Sequence, residues 1–187
     1  MKTRFRRTAV LAAGVGLLAL LPGGVGTAQA AGYSPVGALQ IGVHGIPAKV
    51  NRGTTITMVI WYRQTSKDNA YPVLDGLAVG TAANGTVNRA ARGFTVSLQS
   101  PVTHRWEKMA YNGAFQDYEA TSGVTFKVTP GYWEHLNVRL TLAANAPEGL
   151  VQIVPLPMEG LDLLGSKGQS VDGYLSVDYP IYYTQVK

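Results

Sequence analysis

The sequence predicts an all-β protein, built as a sandwich or a barrel and preceded by a short leader that is removed. Three observations lead to this prediction. Apolar residues alternate with polar ones in several segments, as in strands with one face in the core and one in water. The 22 glycines and 10 prolines punctuate these segments, as the turns of a short-stranded sheet require. Convincing helical periodicity is absent, apart from one turn expected at 161–164.

The first thirty residues are typical of a secretory signal peptide. The chain begins with basic residues at positions 2, 4, 6 and 7, and an apolar segment follows at 10–21. That segment fits the ~7–15 residues of a signal core and falls short of the ~20 needed to span a bilayer. Small residues at Ala28 and Ala30 match a signal-peptidase site. We therefore expect cleavage after Ala30 and secretion, by the general secretory route rather than twin-arginine export.

Composition bounds what the remaining chain, 31–187, is expected to be. The whole sequence carries a formal charge of +5, but loss of the leader leaves twelve basic and eleven acidic residues, a charge of +1. Without a Lys/Arg run we expect no nucleic-acid partner. The absence of cysteine excludes disulfides, thiolate metal sites and a lipid anchor, and in an exported protein it favours a bacterial origin. We expect one domain of this length and no stable membrane anchor.

The strands are predicted from period-two alternation, taken in chain order. They cover 39–44, 55–62, 94–99, 124–129 and 136–143, with shorter candidates at 151–154 and 181–186. Segments 106–111 and 114–120 are predicted to form a hairpin across Asn112-Gly113, a strong two-residue turn signal. Segments 65–70 and 80–93 are expected to be loops. A longer loop is expected around 155–173, and its length suggests a function or a local excursion.

Two stretches carry a resemblance to a known fold family. One is Val50-Asn51-Arg52-Gly53, which leads into the strand at 54–62. The other is the strand at 137–142, introduced by Pro130-Gly131 and followed by a corner at 143–149 that ends in Ala-Pro-Glu-Gly and by a return strand at 150–154. At this corner Pro147 presets φ and Gly149 permits a positive φ.

These stretches resemble the bacterial immunoglobulin-like domains of exported proteins. The resemblance implies an immunoglobulin-like antiparallel β-sandwich of about 7–9 strands. It concerns the fold alone and attaches no site. The sequence departs from the pattern after residue 155, and it has no cysteine pair to bridge the sheets.

Catalytic and metal-binding patterns are weak in this sequence. The three histidines, His44, His104 and His135, form no HExxH motif, and the adjacent Glu134 and His135 would point to opposite faces of a strand. We therefore expect no metal site and no cofactor. Gly-x-Ser-x-Gly is also absent. Carboxylates that could act as a glycosidase pair are Glu107, Asp117, Glu119 and Glu134, and their spacing singles out no pair.

Aromatic residues are the one functional feature above background, with 10 Tyr and 3 Trp. Adjacent aromatic pairs at 61/62, 132/133 and 182/183 must place one ring outward if the chain is extended. Such rings either fill edges and core or form a binding patch with a polar rim. We predict a patch in which aromatic rings stack and arginines donate hydrogen bonds, made of Trp61, Tyr132, Trp106, Trp133, Arg63, Arg105 and Arg139.

The predicted function is that of a secreted, non-enzymatic binding or structural module of the bacterial cell envelope or exterior. The partner would be a cell-envelope protein or a glycan. Two other functions stay open at this point. One is a small secreted hydrolase of polysaccharide or peptide, using Glu107 or Glu134 with a nearby histidine. The other is an exported inhibitor or chaperone-like partner that pairs an uncovered edge strand at 181–186.

Overall fold

A computed structural model describes residues 35–71, 74–83, 86–88, 93–113, 117–120, 127–157 and 162–187. All the regular secondary structure in these ranges is β-strand. No helix occurs within these ranges. Accordingly, none of the described residues belongs to a helix with the length and apolarity needed to cross a membrane. The predicted all-β class is confirmed. The predicted signal peptide, 1–30, lies outside the described residues.

The strands have the following bounds in chain order: β1 (Pro35–His44), β2 (Lys49–Val50), β3 (Thr55–Gln64), β4 (Asn69–Tyr71), β5 (Leu74–Ala83), β6 (Thr86–Asn88), β7 (Phe94–Gln99), β8 (Trp106–Lys108), β9 (Ala110–Asn112), β10 (Asp117–Glu119), β11 (Glu134–Leu142), β12 (Gly149–Pro157), β13 (Asp162–Leu164), β14 (Ser170–Val171), β15 (Tyr174–Val177) and β16 (Tyr182–Val186).

These strands form two large sheets and one small one. The first sheet has six strands in the order β15-β1-β3-β11-β7-β8, antiparallel throughout except for the parallel pair β1–β15. The second has seven, in the order β2-β16-β12-β5-β10-β9 with β6 also paired to β5. The small sheet has the order β14-β13-β4. The two large sheets supply the layers of a sandwich.

The core lies between the two large sheets. On β3 the buried residues are every second one, from Ile56 to Gln64, and on β11 they run from Leu136 to Leu142. From the second sheet, Val79, Val151 and Ile153 join the same apolar cluster. Each large apolar side chain buried there contributes about 1.5–3 kcal/mol. The alternation read from the sequence therefore identified the inward faces of both central strands.

The chain crosses from one sheet to the other at Met109. The sequence predicted one continuous strand at 106–111, but β8 pairs with β7 in the first sheet and β9 pairs with β10 in the second. Met109 is buried between them, and its N–H donates to the Val96 carbonyl at 2.9 Å. Burial of this side chain therefore splits the predicted strand. The predicted hairpin is present as β9–β10, but four residues rather than two separate the paired Asn112 and Asp117.

All three segments expected to be loops contain strand residues, and in 65–70 these are Asn69 and Ala70 of β4. The predicted loop at 155–173 holds the end of β12 together with β13 and β14. The helical turn expected at 161–164 is instead β13, because buried Leu163 pairs with buried Ala70 of β4. Within 80–93, β5 continues to Ala83 and pairs with β6. Of the predicted strand 124–129, residues up to 126 lie outside the description, and Val128 forms a bridge to Ala70.

Two further predictions concern the corner at 143–149 and the edge strand at 181–186. Gly149 has φ 121°, the positive value expected at the corner before β12. Strand β16 pairs along its length with β12, and on its other side β2 covers only Gln185 and Val186. Among the described residues no strand pairs with 182–184 on that side, so edge pairing at 181–186 stays a prediction.

Candidate binding face

The outward side of the six-stranded sheet carries most of the predicted patch. Since Ile60 and Tyr62 of β3 are buried, Trp61 and Arg63 point outward. On β11 the outward positions include His135, Asn137 and Arg139. Opposite residues of antiparallel strands share a face, so Trp106, which pairs with Gln99, lies on the same side. We call this surface, made by the outward residues of β1, β3, β11, β7 and β8 with Trp133, the aromatic face.

Trp61 lies between two histidines at the centre of β3. Its ladder partners are His135 on β11 and Gly42 on β1. The His135 ring lies 4.9 Å from the Trp61 ring, tilted by 41°, and His44 approaches edge-on at 6.3 Å. A Cβ at Gly42 would meet nothing within 4 Å. The glycine therefore leaves the indole accessible from the β1 side.

Two arginines lie against the other two indoles. The guanidinium carbon of Arg139 is 3.8 Å from the ring centroid of Trp106. This contact is diagonal, since Arg139 pairs with Ser97 and Trp106 pairs with Gln99 on the strand between them. The guanidinium carbon of Arg63 is 5.8 Å from the Trp133 ring. Both distances fall within the range of cation–π attraction.

A polar row separates the two arginine–tryptophan pairs. The side-chain amide of Asn137 donates to Oε1 of Gln99 at 2.8 Å. Gln99 in turn donates through Nε2 to the carbonyl of His104 at 3.0 Å. Further along the strands, the hydroxyls of Thr55 and Thr141 are hydrogen-bonded to each other at 2.9 Å. The surface between the Trp61 and Trp106 rings is therefore formed by the amides of Asn137 and Gln99 together with the half-buried Val59, and the threonine pair lies beyond Arg139.

The structure brings together five of the seven predicted residues: Trp61, Arg63, Trp106, Trp133 and Arg139. Tyr132 is 67% exposed, and it follows the turn in which its N–H donates to the Thr129 carbonyl. Arg105 is exposed in the β7–β8 turn, where its carbonyl accepts from Ser100. Among the described residues neither side chain makes a hydrogen bond, ion pair or ring contact with the other five. Tyr132 was chosen for stacking and Arg105 for hydrogen bonding, but each is next to a tryptophan in sequence, and adjacent residues of an extended chain point to opposite sides.

Sequence reasoning missed five members of the aromatic face. His44 and His135 were weighed only as metal ligands, and Gln99, Lys108 and Asn137 were not considered. All five occupy outward positions of predicted strands or of their neighbours. The period-two rule that placed the core would have found four of them; Lys108 also required the β7–β8 pairing.

The charged residues at the outward strand positions of the aromatic face are all basic. Outward positions on the six strands of this sheet, all described, include Arg63, Lys108 and Arg139 and hold no Asp or Glu. Glu134 belongs to the inward side, opposite Tyr62. Elsewhere, Arg52 forms an ion pair with Glu148 at 2.8 Å. Positive charge is thus concentrated on this face, although the chain without its predicted leader is close to neutral.

Within the described residues, the two carboxylates named for the hydrolase alternative lie away from the aromatic face. Glu134 and His135 lie on opposite sides of β11, as expected from their adjacency. Glu107 pairs with Leu98 on the inward side of β8. Among the described residues no group of three or more His, Asp or Glu side chains is placed to hold a metal ion.

A groove of about 410 Å³ lies where the chain changes sheets. It is lined by residues that include Phe94, Met109, Tyr111 and Tyr118. The Tyr118 hydroxyl donates to the Phe94 carbonyl at 3.1 Å. Burial, with a smaller contribution from Tyr111, raises the pKa of Tyr118 to about 12. Burial alone raises the pKa of Tyr62 well above its ordinary value. Burial therefore disfavours the ionised form of both phenols.

Comparison with known proteins names no family. No protein-family model matches the chain. No curated protein matches it either.

Among solved structures the chain is similar to AvmM, which catalyses macrocyclization in alchivemycin A biosynthesis, with 13% identity, a TM-score of 0.49 and coverage of 79% of this chain and 88% of that one. It is similar to a family 123 glycoside hydrolase from Clostridium perfringens, with 10% identity, a TM-score of 0.40 and coverage of 80% and 27%. It is similar to the sporulation control protein Spo0M of Bacillus subtilis, with 11% identity, a TM-score of 0.39 and coverage of 82% and 50%. Similarities this distant support no statement about the activity of this chain.

Proposed function

We propose that this protein is a secreted, non-enzymatic binding module of the bacterial cell envelope or exterior, which recognises a protein or a glycan through the aromatic face. The observation that carries the proposal is the position of the three tryptophans. Trp61 and Trp106 are half-buried and Trp133 is 48% exposed, all on one side of one sheet. None of them belongs to the core cluster.

Exposed indoles favour a binding role because they are costly to leave in water. A buried aromatic ring removes a large apolar area from solvent, so a sandwich that needed tryptophan only for stability would place it inward. Contiguous exposed aromatic residues mark interaction sites far more often than isolated ones do. The arginine contacts hold two of the rings in place before any ligand arrives.

Export is supported by the sequence alone. The basic start, the apolar segment 10–21 and the small residues at Ala28 and Ala30 are the three parts of a signal peptide. N-terminal sequencing of protein recovered from the medium of a secreting host tests this, with Ala31 as the expected first residue. Recovery of the protein only inside the cell, with Met1 retained, would contradict export.

The finer fold assignment that we propose is an immunoglobulin-like topology. Its support is the order β1-β3-β11-β7 in one sheet and β16-β12-β5 in the other, which corresponds to the ABED and GFC sheets of that fold. The chain departs from this topology in two ways. The strand that pairs with the outer side of β5, β10, comes after β7 along the chain instead of between β5 and β7, and β15 adds a parallel strand beside β1. An experimental structure with the two sheets connected differently would overturn the assignment.

The binding proposal is tested by pull-down from cell-wall and envelope fractions. Trp61→Ala, Trp106→Ala and Trp133→Ala, alone and combined, are compared with the wild type. Tyr183→Ala is the matched control, because Tyr183 has the same exposed fraction as Trp133 (48%) but lies in the second sheet. We expect the tryptophan variants to lose their partner and the control to keep it. Unchanged capture by the triple variant would refute the proposal.

A further inference from the structure

We infer that the ligand of the aromatic face is an anionic polysaccharide, whose carboxylate or phosphate groups lie against Arg63 and Arg139 while its sugar rings stack on the indoles. This inference rests on the proposed function and names the class of ligand that the proposed function leaves open. Three observations support it: the positive charge of the face, the lack of a carboxylate at ion-pair distance from either guanidinium among the described residues, and the polar side chains between the tryptophans.

Charge complementarity favours an anionic ligand. The outward cations Arg63, Lys108 and Arg139 share a face without any outward Asp or Glu on the six strands described for this sheet. The chain without its leader carries a formal charge of only +1, so this local excess is balanced by acidic residues elsewhere. A ligand that brings negative charge to this face gains from it, and one that brings positive charge is repelled.

The two guanidiniums are free to bind an anion. Within the described residues neither Arg63 nor Arg139 has a carboxylate within ion-pair distance, whereas Arg52 has Glu148 at 2.8 Å. Arg139 rests against Trp106 at 3.8 Å. Contact with a ring limits the rotation of the guanidinium while its N–H groups stay available at the edge. This fork matches the two oxygens of a carboxylate or a phosphate.

The spacing of these groups suits an extended chain ligand. With about 4.8 Å between strands and about 3.3 Å per residue along them, the Cα positions of Trp61 and Trp106 lie about 16 Å apart. By the same measures Arg63 and Arg139 are about 20 Å apart, since Arg139 pairs with Thr57, six residues before Arg63. A single small anion reaches only one of these points. A polymer that crosses the sheet meets several indoles and both arginines.

Amides and hydroxyls on this face favour a saccharide over a protein. Between the tryptophans lie the amides of Asn137 and Gln99, which are hydrogen-bonded to each other, with Val59 beside them; the hydroxyl residues Ser97 and Thr57 flank Arg139. The centre of a protein interface is instead depleted of charge and rich in apolar contact. Sugar hydroxyls pair with amides and hydroxyls, and the flat side of a pyranose ring packs on an indole.

Nucleic acid fits this face less well. A backbone with one phosphate per nucleotide is held by a continuous row of Lys and Arg. The two arginines here stand about 20 Å apart on the sheet, with the amides of Asn137 and Gln99 between them. An oligonucleotide is therefore an outcome of the test rather than the expected ligand.

The test measures binding of oligogalacturonides of fixed length to the full mature protein by calorimetry. The same oligosaccharides after methyl esterification serve as neutral ligands of equal length, poly(glycerol phosphate) presents phosphate in place of carboxylate, and oligo(dT) presents stacked bases on phosphate. We expect the acidic oligosaccharide to bind and poly(glycerol phosphate) to bind more weakly, because it has no sugar ring to stack on the indoles. Esterification should weaken binding at least about tenfold, as expected for loss of a charge-assisted hydrogen bond.

Substitutions at the arginines separate specific recognition from general attraction. Arg139→Gln and Arg63→Gln are each expected to weaken binding about tenfold. Arg139→Lys keeps the charge but loses the planar fork, so it is expected to behave nearly like Arg139→Gln. The matched control is Lys167→Gln, which removes an equal charge from an exposed turn between β13 and β14 and should leave the affinity unchanged.

The outcomes distinguish this inference from the proposed function. Equal binding of charged and esterified oligosaccharides, lost on Trp61→Ala but not on Arg139→Gln, would overturn the anionic ligand and keep a glycan-binding module. Weakening by Lys167→Gln as large as by Arg139→Gln would reduce the effect to net charge and overturn the inference. Preference for oligo(dT), or capture of a protein with no affinity for any saccharide, would also overturn it.

Discussion

The contact between Arg139 and Trp106 allows a direct test of whether the aromatic face is formed in the absence of ligand. Cation–π contacts contribute about 0.5–1 kcal/mol at exposed sites and about 2 kcal/mol when desolvated. The contact is short, 3.8 Å to the ring centroid, but Arg139 is exposed and Trp106 only half-buried. We therefore expect a coupling free energy of about 1 kcal/mol between the two side chains.

A double-mutant cycle measures this coupling. The free energy of unfolding in urea is determined for the wild type, Arg139→Ala, Trp106→Ala and the double variant, with far-ultraviolet circular dichroism as the common signal. The longer contact of Arg63 with Trp133, at 5.8 Å, should give a smaller coupling of about 0.5 kcal/mol.

The non-contacting pair Arg63 and Trp106 is the control of this cycle and should be additive. Additivity of Arg139 and Trp106 within about 0.3 kcal/mol would refute the preformed contact, since distant and independent sites add to that precision.

Three further predictions concern the framework that supports the face. Gly93→Ala should lower the free energy of unfolding by about 2–4 kcal/mol, because φ is 85° and the added Cβ would lie 2.5 Å from Cα of Ala146; urea unfolding measures this, and a loss below 1 kcal/mol would contradict it. His104→Gly should raise the melting temperature slightly, since His104 has φ 57° and relief of that strain exceeds the entropy cost of glycine by about 0.5 kcal/mol; a lower melting temperature would count against strain. Stability should be insensitive to Tyr118 below pH 10 and should fall as pH rises from 10 towards 12, because the phenol ionises at the lower value only in the unfolded chain. The decline should be shallower in Tyr118→Phe, and equal alkaline slopes would exclude Tyr118 as its source.

Long strands were predictable because a single period governs them. On β3 and β11 eight or more residues alternate, so the inward set from Ile56 to Tyr62 and the outward position of Trp61 follow from the sequence alone. Strands of two or three residues, such as β13, contain too few alternations to be distinguished from a turn. Leu163 is in a strand because Ala70 of β4 lies beside it, and no local signal predicts that partner.

The composition of the candidate site was predictable in part, and its contacts were not. The alternation of inward and outward residues along β3 places Trp61 and Arg63 outward. The contact of Arg139 with Trp106 requires β7 to lie between β11 and β8, an order set by which strands return to the same sheet. Tyr132 and Arg105 were predicted from their aromatic or charged character, without regard to the alternation of inward and outward residues. Within the described part of the chain neither makes a ring contact, ion pair or side-chain hydrogen bond with the other predicted residues.

The two outer faces of the sandwich differ in a way that packing alone does not require. In the second sheet the outward positions of β5 include Gly76, Ala78 and Gly80, and opposite them on β12 lies Val154. Gln152 of β12 and the exposed Tyr183 of β16 also face outward in this sheet, so it carries a tyrosine but no tryptophan. The first sheet has the same need for β-forming residues, which threonine and valine meet, yet it carries indoles against which guanidiniums are held. Removing these side chains should cost far less stability than removing a core residue such as Leu140, because they bury less apolar area. Their presence on this face therefore supports the proposed binding role.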